Sequence, residues 1–184
     1  IRLIARANYR QTCVNLDDGM LQRSWHELNE FLRLTGVGLT GIVTWEHLNK
    51  PEMFDLLREA AVTGSHSMAD ELKLPRSKAV TTVKPSGTLS KIMSTTEGVH
   101  KPLGKYIFNN IKFSIHDPLV PILREAGYRV FPDPYEGQGG DSVLATFPVS
   151  YESVSFDTVD GKHVNLETAI TQLDRYKMMM QHYV

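Results

Sequence analysis

The chain is poor in cysteine: Cys13 is its single one among 184 residues. A disulfide framework within the chain is therefore impossible. It has no apolar run of about 18 residues, so no stretch reads as a membrane-spanning helix. It has no signal-like start, and the cytoplasm is the expected compartment. It has no charge excess: 20 Lys and Arg against 21 Asp and Glu give a net charge of −1. That balance offers no basic footprint for nucleic acid. No Walker pattern occurs, and no third glycine completes a dinucleotide fingerprint around Gly36-Val37-Gly38. No internal repeat and no linker that would divide two domains is visible. With 41% hydrophobic residues the chain can bury one real core. It opens on Ile1 and stops at Val184 inside a helix-like pattern, so it is expected to be a single partial domain, residues 1–184, cut at both ends.

The most informative stretch runs from Ala79 to Ser90. Ala79-Val80-Thr81-Thr82-Val83 is apolar and β-branched, which reads as a buried strand. Pro85-Ser86-Gly87-Thr88 cannot continue it, because Pro85 lacks an N–H for a ladder and Gly87 permits a turn. Leu89, Ile92 and Met93 then recur at helical spacing. Strand, glycine turn and helix start is an arrangement that binds phosphate, since N–H groups without helical partners face outward. Ser86, Thr88 and Ser90 add hydroxyls and Lys84 adds charge. The plainer reading is an ordinary turn whose serine caps a helix.

The rest reads as alternating helices and strands. Arg2, Arg6 and Arg10 at four-residue spacing lie along one helix side, read as a solvated face with a nucleotide-facing stripe as the alternative. Leu21, Trp25, Leu28, Phe31, Leu32 and Leu34 mark an amphipathic helix after the stop at Asp17-Asp18-Gly19. Gly36 to Val43 reads as a short strand whose glycines serve close packing. Pro51 opens a helix that runs to Leu74, with no visible reason for Gly64. Its return into the Val80 strand implies parallel pairing. Tyr106 to Ser114 alternates as a strand. Asp117-Pro118 opens a short helix closed by Gly127. Tyr128 to Phe131 and Val143 to Val149 are further strands. Pro132 to Asp141 is a flexible insertion whose Asp133, Glu136 and Asp141 match no calcium loop. Asp157 to Lys162 is a turn, and Asn165 is expected to cap a helix from Leu166 to Tyr183. Met178-Met179-Met180 reads as core filler.

Thr81-Thr82-Val83-Lys84-Pro85-Ser86-Gly87-Thr88-Leu89-Ser90, followed by Glu97-Gly98-Val99-His100-Lys101-Pro102, resembles the adenosylcobalamin-dependent (class II) ribonucleotide reductases. That family carries a Thr-Thr-Val-x-Pro-x-Gly-Thr-x-Ser run and then a Pro-Gly-x-His-x-Pro run. Asn109 to Val120, Gly36 to Gly41 and Arg10 to Leu16 continue the likeness. It covers roughly Tyr9 to Tyr183 and weakens between Pro132 and Lys162. The resemblance implies an α/β fold, part of a ten-stranded α/β barrel with a finger loop that carries a radical cysteine. It implies conversion of ribonucleotides to 2′-deoxyribonucleotides, for DNA precursor synthesis, with adenosylcobalamin as cofactor. In that chemistry a thiyl radical takes the ribose 3′-hydrogen and a cysteine pair reduces the 2′ carbon as water leaves.

The family's radical cysteine lies in an Asn-x-Cys-x-Glu context, whereas Cys13 lies in Gln-Thr-Cys-Val-Asn. The radical role is not carried onto Cys13, and no catalytic residue is assigned in this segment. Resemblance and local chemistry together make Pro85, Ser86, Gly87, Thr88 and Leu89 the expected cradle for substrate phosphates. Lys84, Ser90 and His100 are candidates for further substrate contacts; for His100 a proton donor, a nucleotide contact and a structural loop residue stay open. Implied partners are the ribonucleotide substrate, a thioredoxin-type reductant, deoxynucleotide effectors and the remainder of the enzyme, with no membrane and no nucleic acid. The alternatives are a non-catalytic nucleotide- or phosphate-binding module and a diiron-dependent reductase core. The Pro-Ser-Gly-Thr form of the loop speaks against the latter.

Overall fold

The computed structural model describes residues 1–17, 19, 21–137 and 139–184. Asp18 of the expected stop and Gln138 of the glycine-rich loop lie outside them. In chain order the helices are α1 (Arg2–Gln11), α2 (Arg23–Leu32), α3 (Pro51–Leu72), α4 (Thr88–Ile92), α5 (Leu119–Glu125) and α6 (Ala169–His182). The strands are β1 (Tyr106–Ser114), β2 (Val130–Pro132), β3 (Ser142–Ser150), β4 (Asp157–Val159) and β5 (Lys162–Val164). The chain divides into two compact units, Ile1–Lys101 with Glu167–Val184, and Pro102–Leu166.

The first unit is built on α3. Pro51 takes the first helical position, where its missing N–H costs nothing. Gly64 sits where α1 crosses: a Cβ there would lie 2.5 Å from the Arg2 carbonyl oxygen and 3.1 Å from Ala5 Cβ. That contact is the packing reason hidden from the sequence. Ala5, Val37, Ala61 and Val80 form one buried cluster, and Tyr9, Met68 and Ala69 a second. Ile42, Phe54, Met179 and Tyr183 form the third. Of the expected core filler, Met179 is buried and Met178 packs against the cluster, whereas Met180 is 42% exposed. The Tyr183 hydroxyl donates to the Val37 carbonyl at 2.9 Å, and burial pushes its pKa up to about 12.

Residues 79–83 do not form a full strand. They pair in parallel with 35–38 through one bridge, Val37 to Thr81, supported by Thr35 N–H to the Ala79 carbonyl (3.0 Å) and Val37 N–H to the Val80 carbonyl (2.8 Å). The expected parallel pairing is thus present in its shortest form. Gly38 makes it possible, since a Cβ there would meet Lys84 Cβ at 2.4 Å. The ten-stranded barrel is not seen in these strands. Helix α2 forms as expected, yet it buries no residue: Trp25 is 59% exposed and Phe31 66%. It is tied to the end of α1 by Asn29 and Arg33, which donate to the Thr12 carbonyl at 2.7 and 2.6 Å.

The expected helix cap at Asn165 is corrected: α6 begins at Ala169, and the Thr168 hydroxyl accepts from the Thr171 N–H at 3.2 Å. Threonine at that position satisfies a first-turn N–H that Asn165, three residues earlier, cannot reach.

The second unit holds an antiparallel sheet in the order β1-β3-β2. The register runs from Tyr106 opposite Ser150 to Ser114 opposite Ser142. Asp117 Oδ1 accepts from Leu119 N–H at 2.9 Å and so starts α5. Gly127, at φ +82°, ends it. The turn expected at Asp157–Lys162 is a hairpin of β4 and β5, closed by Asp160 and Gly161 at φ 48° and 75°. Two positive φ values match the twist of the flanking strands. Lys112 meets Asp133 at 2.9 Å and Glu136 at 2.7 Å. Those acids are thus engaged by a cation, and no group able to hold a metal ion occurs among the described residues.

Candidate functional site

The site region consists of two loops of the first unit, 84–90 and 94–100, strapped together. Ser86 N–H donates to the Glu97 carbonyl at 2.9 Å, and Thr95 N–H donates to the Ser90 carbonyl at 2.9 Å. A third segment supports them: Gly41 N–H donates to the Thr96 carbonyl at 2.9 Å, and the Thr44 hydroxyl lies 3.3 Å from those of Thr95 and Thr96. Thr96 and Ser90 are fully buried. Gly98 lies against the first loop so closely that a Cβ would stand 2.6 Å from the Lys84 carbonyl oxygen. These contacts give the pair of loops a packed polar base.

The tip is different. Pro85, Gly87, Thr88 and Leu89 are exposed. A Cβ on Gly87 would meet nothing within 4 Å. Its φ and ψ are −65° and −76°, so the glycine is used for open space and not for a left-handed turn. The serines expected to face a ligand point elsewhere. The Ser90 hydroxyl donates to the Gly87 carbonyl at 3.0 Å and to the Ser86 carbonyl. Ser86 is 2% exposed, and its hydroxyl has no hydrogen-bond partner among the described residues. Thr88 therefore keeps the exposed hydroxyl of the three. The N–H groups at the start of α4 lack partners within the helix. Helix α4 has five residues, too few for aligned peptide dipoles to contribute much. What remains is the exposed run Gly87-Thr88-Leu89, with N–H groups that the first turn of α4 does not use and one hydroxyl, which suits an anion with several oxygens.

Lys84 is half-buried beside Gly38. His100 Nε2 lies 3.2 Å from Glu97 Oε2, and Lys91 Nζ lies 2.8 Å from Glu97 Oε1. Burial pushes the Glu97 carboxyl up, but the hydrogen bonds and charges of Lys91 and His100 outweigh it and hold the group below its ordinary value. Glu97 is thus a shared acceptor behind the loop. Cys13 is exposed, and its Sγ lies 4.0 Å from the Tyr9 carbonyl oxygen.

Two residues of the region escaped the sequence reading. Arg175 donates to the Val99 carbonyl at 2.6 Å and forms a buried ion pair with Glu167. Glu167 lies before α6 begins, outside the helix that carries Arg175, so helical periodicity does not mark the pair.

No family model matches the chain. It is 42% identical over 98 residues to the adenosylcobalamin-dependent ribonucleoside-triphosphate reductase of Lactobacillus acidophilus, covering 53% of this chain and 13% of that protein. With the enzyme of the same name from Lacticaseibacillus paracasei it shares 34% over 132 residues, 66% of this chain and 17% of the relative. The chain is similar to one segment of those reductases and spans less than a fifth of their length. A crystal structure of a B12-dependent (class II) ribonucleotide reductase superposes with a TM-score of 0.70 at 22% identity, over 99% of this chain and 29% of that one. The likeness to the solved reductase extends through both units, so the fold seen here is that of the class II reductase segment. No helix among the described residues is long and apolar enough to cross a membrane.

A groove of about 270 Å³ beside Trp45, Phe54 and Leu57 and one of about 430 Å³ beside Phe108, Tyr128 and Phe131 are each too small to enclose a corrinoid. Adenosylcobalamin is the cofactor named for the relatives. No residue of this segment is given a role toward it.

Proposed function

We propose that this chain is part of a ribonucleotide reductase of the adenosylcobalamin-dependent type, converting ribonucleotides to 2′-deoxyribonucleotides, and that residues 85–89 hold the substrate's phosphates. In this reading the segment belongs to a ten-stranded α/β barrel completed by the rest of the enzyme. A thioredoxin-type reductant and deoxynucleotide effectors act on the whole protein, in the cytoplasm, and the segment alone is inactive. Likeness to the reductases supports the reaction. The observation that supports the phosphate role is the exposed Gly87-Thr88-Leu89 tip, with open space above Gly87 and a packed base beneath.

The segment's own task is positional. Phosphate oxygens accept from the backbone N–H groups of the tip and from the Thr88 hydroxyl. Bonds to such charged acceptors are short and about twice as strong as neutral ones. The base keeps the tip at one height, and the ribose is thereby held for a reaction performed by residues outside this segment. Such orientation supplies several kcal/mol of barrier lowering in well-placed reactions. Lys84 and His100 are the candidates for further contacts. Ser90 acts through the tip's backbone.

The test is turnover by the full-length protein with a ribonucleotide and a dithiol reductant, with and without adenosylcobalamin. Deoxyribonucleotide formed only with the cofactor supports the reading. Conversion without it, or none under both conditions, overturns it.

A further inference from the structure

We propose that Arg175, fixed by Glu167, is a positioning residue for the 84–90 loop; its link to substrate rests on the phosphate reading above. The chain of contacts is continuous. Thr168 caps α6, and Arg175 lies two turns further on. Its side chain is 8% exposed and that of Glu167 7%. One guanidinium nitrogen donates to the Val99 carbonyl at 2.6 Å while reaching Glu167 Oε2 at 3.3 Å, and the other meets Glu167 Oε1. Val99 follows Gly98, whose backbone lies against the Lys84 carbonyl. Glu97 in turn accepts the Ser86 N–H at 2.9 Å. Arg175 therefore holds a carbonyl of the second loop, and that loop carries the first.

The fork geometry explains the residue type. A guanidinium can grip a carboxylate with both of its ends and still donate to a third acceptor, whereas an ammonium is a point donor without a fixed fork. A buried ion pair is weak evidence of stability by itself, because desolvation offsets the attraction. Its value here is directional: Glu167 fixes where the guanidinium points.

The experiment is hydrogen exchange on the full-length protein, followed in the peptide spanning 84–91, with cytidine triphosphate and cytidine as probes. The variants are Arg175→Lys, Arg175→Met and the double change Arg175→Met with Glu167→Leu. The double change removes the pair without leaving a lone buried charge, and such replacements are often tolerated. Loss of the strap is expected to speed exchange in 84–91 by about tenfold in the double variant while α1 and α3 keep wild-type protection. Arg175→Lys falls between. Wild-type exchange in 84–91 of a folded double variant overturns the proposal. The triphosphate arm separates the two claims. Protection of 84–91 by cytidine triphosphate and not by cytidine supports the phosphate reading, and the double variant then needs about tenfold more triphosphate for the same protection. No protection of the wild-type loop by triphosphate counts against the phosphate reading, and the faster exchange still decides for the strap.

Discussion

Gly87 and Gly98 lie in the same pair of loops and meet opposite surroundings. A side chain at Gly98 would strike the Lys84 carbonyl, whereas one at Gly87 would enter open space. Gly98 is required by packing, whereas nothing among the described residues requires a glycine at Gly87. A glycine that the fold does not need, at an exposed tip over a buried polar base, is best explained by something that must approach the backbone there. In the proposed reading the contrast separates scaffold from contact surface, and it can be broken by substitution.

The largest effect is expected at the base. Gly98→Ala forces a methyl group against backbone and should destabilise the protein by about 3 kcal/mol, at the upper end for overpacking. The thermal midpoint reads this directly, and an unchanged midpoint would show that the loops are looser than described. Ser90→Ala removes a buried hydroxyl that donates to the Gly87 carbonyl, with an expected cost of about 1 kcal/mol. A third prediction concerns pH. Glu97 titrates below its ordinary value of 4.5 in the folded chain. Its contribution is therefore fully present above the ordinary carboxylate value and is lost as the pH falls through the lower folded value. Glu97→Gln should flatten the acid side of a stability profile, measured as the midpoint against pH; an acid limb identical to wild type would contradict this. The smallest effect is at the tip. Gly87→Ala, at a φ open to any residue, should shift stability by less than about 0.5 kcal/mol.

Much of this contrast was legible in the residues. The strand-like Val80 segment, the stop at Pro85 and the helix after Gly87 are local events, set by side-chain branching and missing donors. The helix at Pro51, the strands at Tyr106 and Val143 and the stop at Gly127 follow from the same local chemistry. What stayed hidden depends on partners far along the chain. Gly64 is explained by α1, and Gly38 by Lys84. The serines of the loop read as ligands because their hydroxyls suit phosphate, yet Ser90 turns to backbone carbonyls and Ser86 is buried. A sequence states which groups are present and not which way they turn. Arg175 was invisible for the same reason. The periodicity of α2 marks an apolar face, but Trp25 and Phe31 lie exposed, because periodicity marks a face without supplying its cover.

The most direct test of the central claim places bulk at the open tip. Gly87→Val in the full-length protein should leave the thermal midpoint within about 2 °C of wild type, since a Cβ there meets no other described residue within 4 Å. Its affinity for the ribonucleotide substrate should fall by at least about tenfold, because the branched side chain occupies the space a phosphate would use. Wild-type affinity in the folded variant would contradict the account.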